Sequence, residues 1–228
     1  MTPEPSVRDH LVLALDVGAL DECEALARKL AGWFSTVKVG LELYAEAGPE
    51  AVARLRDQGF RVFADLKLHD IPNTVGRAAR VLGRHGVDFL NFHAAGGEVM
   101  LRAGVEGFAA GALAGGLPPP KALAVTILTS EGERPPSVLA ERVAAAVESG
   151  CAGIVCSAHD LHDARLLAPR MLTVVPGIRP EGVPAHDQAA PVTPRAALDA
   201  GADILVIGRA VTAADDPAAA AAALVASI

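Results

Sequence analysis

The segment Phe63-Ala64-Asp65-Leu66-Lys67-Leu68-His69-Asp70-Ile71-Pro72-Asn73-Thr74 ends an apolar, strand-like run with three alternating charges. Side chains two residues apart on a strand point to the same face, so Asp65 and Lys67 are predicted to project together. Asp70 follows in the turn before a helix, which Pro72 makes rigid because proline fixes φ and favours an extended residue before it. The segment therefore predicts a carboxylate, an ammonium and a second carboxylate in line at the mouth of a sheet.

Lysine is scarce in this chain, which holds four lysines against sixteen arginines. The pair of Asp65 and Lys67 can be an ordinary solvated ion pair at a strand end. However, an ammonium can give up its proton near neutral pH, whereas a guanidinium cannot, so a lysine kept at this position suits acid, base or Schiff-base chemistry. Lys38, in Ser-Thr-Val-Lys-Val-Gly at residues 35–40, ends another strand-like run in the same way.

Apolar strand-like runs alternate with helical segments along the whole chain. The predicted strands are residues 11–15, 36–39, 61–66, 87–92, 122–127, 153–156, 171–175 and 204–207. Eight such runs, spaced by roughly 20 to 35 residues, are typical of an α/β protein with a (β/α)8 TIM barrel. We predict one barrel domain over residues 1–228, with residues 1–10 as an N-terminal tail. A doubly wound open sheet is the alternative, but no Gly-x-Gly-x-x-Gly follows the first run.

Helix ends are marked by capping and breaking residues. Helices are predicted from about residue 74 to residue 86 and over residues 137–150. Thr193-Pro194 and Asp216-Pro217 pair an N-cap with proline at the first helical position, so each predicts a helix start. The Ala- and Gly-rich segment 109–116 is predicted to be a loop or a helix end.

Composition disfavours several classes of protein. The 228 residues are 51% hydrophobic and carry a net charge of −7, without a basic stripe, so we expect binding to neither nucleic acid nor anionic membrane. The first residues do not resemble a signal peptide, and no apolar run is long enough to span a bilayer. Cys23, Cys151 and Cys156 lie in apolar settings, where packed free thiols are favoured over a metal site. These features predict a cytoplasmic protein.

A barrel would bring the strand ends together into one site, because active sites of such barrels lie at the carboxyl ends of the strands. The side chains at or just beyond the carboxyl ends of the first four predicted strands are Asp16, Lys38, Asp65, Lys67 and His93. Histidine at such a position is more often a core residue than a catalyst. His69 is predicted to be a turn residue, and Thr129 follows the fifth strand.

A phosphate site is predicted after the seventh and eighth strands, where barrels often bind phosphate. Arg179 lies in Pro-Gly-Ile-Arg after the seventh strand, and Arg209 follows Gly208 after the eighth. Each arginine alone can be a surface charge. Together with Gly177 and Gly208 they offer backbone N–H groups and guanidinium forks to a phosphate.

These segments resemble the orotidine 5′-phosphate decarboxylase family. Residues 65–74, Asp-Leu-Lys-Leu-His-Asp-Ile-Pro-Asn-Thr, are similar to the family signature, and the resemblance spans nearly the whole chain. It extends to residues 13–16, 37–40, 93–97, 125–130, 176–180, 187–188 and 207–209. Related sugar-phosphate barrels share Asp-x-Lys-x-x-Asp, whereas the added Ile-Pro-Asn-Thr and the Gly-Arg pairs make the resemblance specific.

The resemblance implies a homodimeric barrel that acts on orotidine 5′-monophosphate without a cofactor or metal. It implies that Lys67 is the proton donor, that Asp16 and Lys38 hold the ribose and the charge network, and that Thr129 contacts the pyrimidine edge. The residues that it assigns to the site of the other subunit are Asp70, Ile71 and Thr74. The residues that it assigns to the phosphate are Arg179, Gln188, Gly208 and Arg209. Pro176 is predicted to bind substrate as well. Segment 131–136 is shorter than the corresponding loop of many bacterial members.

The chemistry of such a decarboxylation suits these residue types. Loss of CO2 from C6 of the pyrimidine leaves negative charge in the ring plane, with no carbonyl placed to delocalise it. An ammonium at about 4 Å stabilises that charge by roughly 4 kcal/mol at an effective dielectric constant near 20, and can then donate the proton. Flanking carboxylates from Asp65 and Asp70 would keep Lys67 protonated and oriented.

Two alternative functions use the same residues differently. A metal-dependent sugar-phosphate aldolase or epimerase shares the barrel and Asp-x-Lys-x-x-Asp, but it gives no reason for residues 71–74 and should lose activity with a chelator. A non-catalytic nucleotide-binding protein predicts loss of the catalytic charges. The sequence retains all of them: Asp16, Lys38, Asp65, Lys67 and Asp70.

Overall fold

Parallel strands close into an eight-stranded barrel in the computed structural model, which describes residues 5–128, 131, 134–180 and 192–228. Each strand pairs with the next along the chain, and the last pairs with the first. The closed barrel confirms the predicted (β/α)8 fold and not the open sheet. The strands are β1 Leu11–Ala14, β2 Thr36–Val39, β3 Arg61–Leu68, β4 Phe89–His93, β5 Lys121–Val125, β6 Gly153–Val155, β7 Leu172–Val175 and β8 Ile204–Ile207.

Helices follow the strands and surround the barrel. They are α1 Pro5–Asp9, α2 Leu20–Leu30, α3 Leu41–Ala47, α4 Pro49–Asp57, α5 Pro72–Arg84, α6 Gly97–Ala114, α7 Pro136–Glu148, α8 Leu161–Leu167, α9 Pro194–Asp199, α10 Arg209–Thr212 and α11 Pro217–Ala226, with a short 3-10 turn at Ala94–Gly96. The two predicted caps are present: the Thr193 hydroxyl accepts from Ala196 N–H, and the Asp216 carboxylate accepts from Ala218 N–H. No helix in the described part of the chain is long and apolar enough to cross a membrane.

The core has two apolar layers, one between the strands and the helices and one inside the barrel. The outer layer includes Leu11, Leu13 and Val62, all fully buried. The inner layer consists of Val12, Ala14, Phe63, Phe89, Leu123, Val174, Ile204 and Val206. Because side chains alternate along a strand, a residue two positions after an inner-layer residue also faces the barrel axis. This alternation turns Asp65, after Phe63, towards the interior near the carboxyl end of the barrel.

Helices α5 and α6 are packed so closely that glycine is required where they meet. A Cβ atom on Gly107 would lie 2.1 Å from the carbonyl oxygen of Gly76, and one on Gly111 would lie 2.0 Å from that of Arg80. These glycines explain why α6 was not apparent in the sequence, where Gly normally weakens a helix. Residues 109–114 of the segment 109–116, predicted as a loop or helix end, form the end of α6. The contact positions α5, which begins at Pro72, two residues after Asp70.

Replacement of Gly111 by alanine is expected to destabilise the fold by at least about 2 kcal/mol, because a helix backbone must move to accept the methyl group. Urea unfolding would measure the loss. Ala109→Ser on the exposed side of α6 is the control and should change the free energy of unfolding by less than about 0.5 kcal/mol. Equal stability of Gly111→Ala and the parent protein would mean that the two helices separate without cost.

Candidate active site

Four charged side chains form a continuous series of ion pairs at the carboxyl ends of β1, β2 and β3. Lys38 Nζ lies 3.0 Å from Asp16 Oδ1 and 3.2 Å from Asp65 Oδ2. Lys67 Nζ lies 2.6 Å from Asp65 Oδ1. We call Asp16, Lys38, Asp65 and Lys67 the charged array. Asp65 and Lys67 project together, as the strand periodicity predicts, and Asp65 bridges the two ammonium groups.

Burial makes the charged array electrostatically coupled. The side chain of Lys38 is 10% exposed and that of Asp65 is 16% exposed. Burial alone disfavours the charge on Lys38, but the carboxylates of Asp65 and Asp16 outweigh it, so the pKa of Lys38 is raised. Burial likewise opposes the charge on Asp65, but Lys38 and Lys67 outweigh it and lower the pKa of that carboxyl. Both groups are therefore ionised at neutral pH.

Strand β3 is irregular at the array. Ala64 is paired with Leu90, whereas Leu68 is paired with Phe92, so three residues of β3 lie opposite one residue of β4. Lys67 within this bulge has φ 49°, the only positive φ of a non-glycine residue in the described chain. That conformation costs on the order of 1–3 kcal/mol and persists only where the surroundings hold it. The bulge also extends β3 to Leu68, two residues beyond the predicted strand end.

Asn91 is the residue of β4 that faces the bulge. Its Oδ1 atom accepts a hydrogen bond of 2.7 Å from Lys67 N–H, and its Nδ2 atom donates one of 2.6 Å to Asp65 Oδ1. The side chain is buried, with 1% of its surface exposed. Sequence reasoning missed this residue. A polar amide within the otherwise apolar run Phe-Leu-Asn-Phe was the signal that could have found it.

Asp70, Ile71 and Thr74 lie beside one another, outside the charged array. The Asp70 carboxylate accepts a hydrogen bond of 2.6 Å from Ile71 N–H, and no described ion pair joins it to Lys67. Ile71 caps α5 and is 66% exposed, and Thr74 is exposed in the first turn of that helix. The three side chains are thus available at the surface next to the site.

The predicted phosphate-binding residues come from two neighbouring strand ends. Gly177 has φ 81°, a conformation that favours glycine, and it lets the chain turn after β7. Arg179 is 4% exposed, and its backbone N–H donates to the backbone carbonyl of Val192. Gly208 directly precedes α10, and Arg209 is the exposed first residue of that helix. Thr129 and Gln188 lie outside the described residues.

A cavity lies between the charged array and the ends of strands β5 to β8. Lys38, Asp65 and Lys67 form its charged wall. Cys156 and Ser157, which sequence reasoning did not select, contribute from the loop after β6. The remaining wall is apolar and consists of Phe63, Val125, Ile127, Leu128, Val155, Pro176 and Val206. Apolar walls reduce screening by water and so strengthen the interaction of a bound molecule with the ammonium groups.

Glu131, after β5, is held by an ionic contact. The Glu131 carboxylate lies 3.0 Å from Arg142 on α7, and it accepts a hydrogen bond from Leu128 N–H. These two partners outweigh burial and lower the pKa of Glu131. His93 Nε2 lies 3.6 Å from Glu131 Oε1, and the His93 ring stacks on His69 with 5.3 Å between centroids. His93 therefore packs between two site loops.

The basicity of His93 and the state of the thiols follow from burial. Burial, followed by the charge of Arg142, lowers the pKa of His93, so its imidazole is neutral at pH 7. Cys23, Cys151 and Cys156 are free and buried. Burial raises the pKa of Cys156 to about 12, so this thiol stays protonated in the cavity wall. Within the described ranges, no group of three or more His, Cys, Asp or Glu side chains could hold a metal ion.

A closed (β/α)8 barrel that carries coupled acid and base groups at the carboxyl ends of its strands defines a TIM-barrel enzyme. The chain belongs to the orotidine 5′-phosphate decarboxylase / HUMPS family, whose model matches residues 9–224. The resemblance of the charged segment to this family is thereby confirmed.

Individual relatives are similar over nearly their whole length. Orotidine 5′-phosphate decarboxylase from Moorella thermoacetica is 44% identical over 233 residues, which cover 97% of this chain and 92% of the relative. The protein of the same name from Geobacillus kaustophilus is 46% identical, with coverages of 90% and 89%. A crystal structure of orotidine 5′-phosphate decarboxylase from Lactobacillus acidophilus superimposes with a TM-score of 0.79 at 33% identity, with coverages of 95% and 97%.

Proposed function

We propose that this chain decarboxylates orotidine 5′-monophosphate to UMP and CO2 in pyrimidine biosynthesis, without a cofactor. The observation that carries the proposal is the Lys67 ammonium, held 2.6 Å from Asp65 at the wall of a cavity in a chain of this family. An ammonium fixed in this way can stabilise negative charge on a ring carbon and then protonate that carbon.

In the proposed reaction, the C6–CO2 bond breaks and its electron pair stays on C6. Lys67 donates a proton to C6, which forms UMP, and the lysine regains a proton from solvent. Asp65 keeps Lys67 oriented and lies close to the substrate carboxylate. That carboxylate is the group that departs, so repulsion by Asp65 is relieved as CO2 leaves.

The remaining predicted residues serve binding in this proposal. Asp16 and Lys38 hold the ribose, and Thr129 contacts the pyrimidine edge. The phosphate is bound by backbone N–H groups and guanidinium groups far from C6, where binding energy can be used to close loops and fix the charges. The residues assigned to the phosphate are Arg179, Gln188, Gly208 and Arg209, and Pro176 binds substrate from the cavity wall.

The active form in this proposal is a homodimer in the cytoplasm. Exposed apolar side chains at the carboxyl end of the barrel, where burial against a second copy would be favourable, support the dimer: Leu41 is 61% exposed, Ile71 66% and Val99 70%. Asp70, Ile71 and Thr74 would reach the site of the other subunit, and Asp70 would complete the line of charges beside Lys67 there. Three free, buried thiols suit a reducing compartment.

Arg209→Ala is expected to weaken UMP binding by roughly 10–100-fold, because a charge-assisted hydrogen bond to phosphate contributes about 1.5–3 kcal/mol. The affinity for uridine, which has no phosphate, should stay unchanged. Isothermal titration with both ligands would measure this difference. Arg195→Ala is the control, because the Arg195 side chain is exposed and pairs with Asp199 on α9. Unchanged affinity for UMP would place the phosphate elsewhere.

The function is tested by the ultraviolet absorbance of orotidine 5′-monophosphate mixed with purified protein in excess EDTA. Conversion to UMP is expected at the same rate with and without the chelator. Conversion that EDTA abolishes would favour a metal-dependent enzyme of the sugar-phosphate type. UMP binding without conversion would favour a non-catalytic nucleotide-binding protein.

A further inference from the structure

We infer that Asn91 is a positioning residue, whose side-chain amide sets both the orientation of Asp65 and the backbone conformation of Lys67. This inference deepens the proposed function and rests on it where turnover is concerned. Asn91 lies two residues after Phe89, an inner-layer residue of β4, so its side chain faces the barrel interior.

The two hydrogen bonds of Asn91 use opposite ends of one amide. The side-chain oxygen accepts from the backbone N–H of Lys67, which lacks a partner in the sheet because β3 bulges there. The donor end binds Asp65 Oδ1, the same oxygen that accepts from Lys67 Nζ. Asp65 Oδ2 in turn faces Lys38 at 3.2 Å. Three partners therefore fix the orientation of the Asp65 carboxylate. Lys38 and Lys67 are charged, and Asn91 is neutral.

An amide side chain meets both hydrogen-bonding demands of this position. It must accept from a backbone N–H and donate to a carboxylate at the same time, which neither an aliphatic side chain nor an ionised carboxylate can do. Without the acceptor, the Lys67 N–H would be left without its partner and the left-handed conformation would lose its support. The bulge could then relax, and the ammonium would move away from the cavity.

The substitution Asn91→Leu removes both hydrogen bonds, and the leucine side chain is similar in volume to that of asparagine. We expect kcat to fall by about 10²-fold, since a displacement of about 1 Å at the reacting groups has an effect of that size. The affinity for UMP should change little, because the phosphate-binding residues lie on other strands. A crystal structure of this variant should show residue 67 with a negative φ.

Asn91→Asp separates positioning from simple packing. At neutral pH its carboxylate would face Asp65 across about 2.6 Å, so the two negative charges would repel and kcat would be low. As the pH falls, one carboxyl takes up a proton and can donate to the other, as the amide did. The ratio of variant to parent kcat should therefore rise towards acidic pH, whereas the same ratio for Asn91→Leu should not depend on pH.

Thr173→Val is the matched control. Thr173 is also fully buried in a strand, and its hydroxyl donates to Gly201 O at the opposite end of the barrel. This variant should lose stability but keep kcat. The inference is wrong if Asn91→Leu keeps kcat, if it keeps the positive φ at residue 67, or if kcat falls only in step with UMP affinity. If Asn91→Leu does not fold, the pH dependence of kcat in Asn91→Asp tests the inference. If the parent protein itself does not turn over the substrate, the proposed function is rejected. The φ angle of residue 67 in Asn91→Leu would then still test the role of Asn91.

Discussion

Lys67→Ala is expected to abolish turnover of orotidine 5′-monophosphate while UMP binding stays measurable. An ammonium about 4 Å from the carbanion contributes roughly 4 kcal/mol, which corresponds to about 10³-fold in rate. Proton donation by a positioned acid contributes a further 10²-fold or more, on the order of 10²–10⁴. Loss of both effects predicts a decrease in kcat of about 10⁵-fold.

Binding should survive this substitution because Lys67 belongs to β3, whereas the proposed phosphate residues Gly208 and Arg209 follow β8. Steady-state absorbance measurements would give kcat, and titration with UMP would give the affinity. Lys29→Ala is the control, since Lys29 is half exposed and pairs with Asp216 on the surface, where ion pairs contribute little. Activity of Lys67→Ala close to that of the parent protein would remove the proposed mechanism.

The strands could be predicted well from the sequence because parallel barrel strands are buried on both faces and form continuous apolar runs. The bounds of β2 and β8 agree with the prediction, and the other strands differ by one or two residues at an end. The largest difference at the site, the extension of β3 to Leu68, depends on a bulge that Asn91 supports from another strand. Local periodicity carries no information about such a contact.

The charged array could be predicted in part for the same reason. Asp16, Lys38, Asp65 and Lys67 each directly follow or end an apolar run, and barrel closure then brings them together. The contact of Glu131 with Arg142 could not be predicted in this way. It joins a loop to the middle of α7, and only the folded chain places the two side chains 3.0 Å apart.

Asp65→Asn is expected to be the most destabilising substitution in the array. It removes the carboxylate between two ammonium groups and leaves Lys38 buried with Asp16 as its remaining partner. Breaking a buried pair from one side costs about 3–5 kcal/mol. The expected loss in the free energy of unfolding is about 3 kcal/mol at pH 7. Turnover should fall at least 10²-fold, because Lys67 would be misplaced. A displacement of roughly 1 Å at the reacting groups has an effect of about this size.

The loss of stability in Asp65→Asn should depend on pH in a defined way. Asp65 has a lowered pKa in the folded protein, so its contribution is present above the unfolded value near 3.8 and is lost as the pH falls through the folded pKa. Lys38 has a raised pKa, so its contribution is present below the unfolded value near 10.5 and is lost as the pH rises through the folded pKa. The difference between parent and variant should therefore be largest between about pH 5 and pH 9 and should shrink on either side.

Urea unfolding of parent and variant across this pH range would measure the difference. Asp16→Asn is the matched comparison, because it removes the other carboxylate partner of Lys38 from a side chain that is 56% exposed. Solvent screens that pair, so its loss should cost no more than about 1 kcal/mol. A difference that does not vary with pH, or equal losses for Asp65→Asn and Asp16→Asn, would mean that Asp65 does not couple the two lysines. Unequal losses with the expected pH dependence would establish Asp65 as the charge that holds both ammonium groups in place.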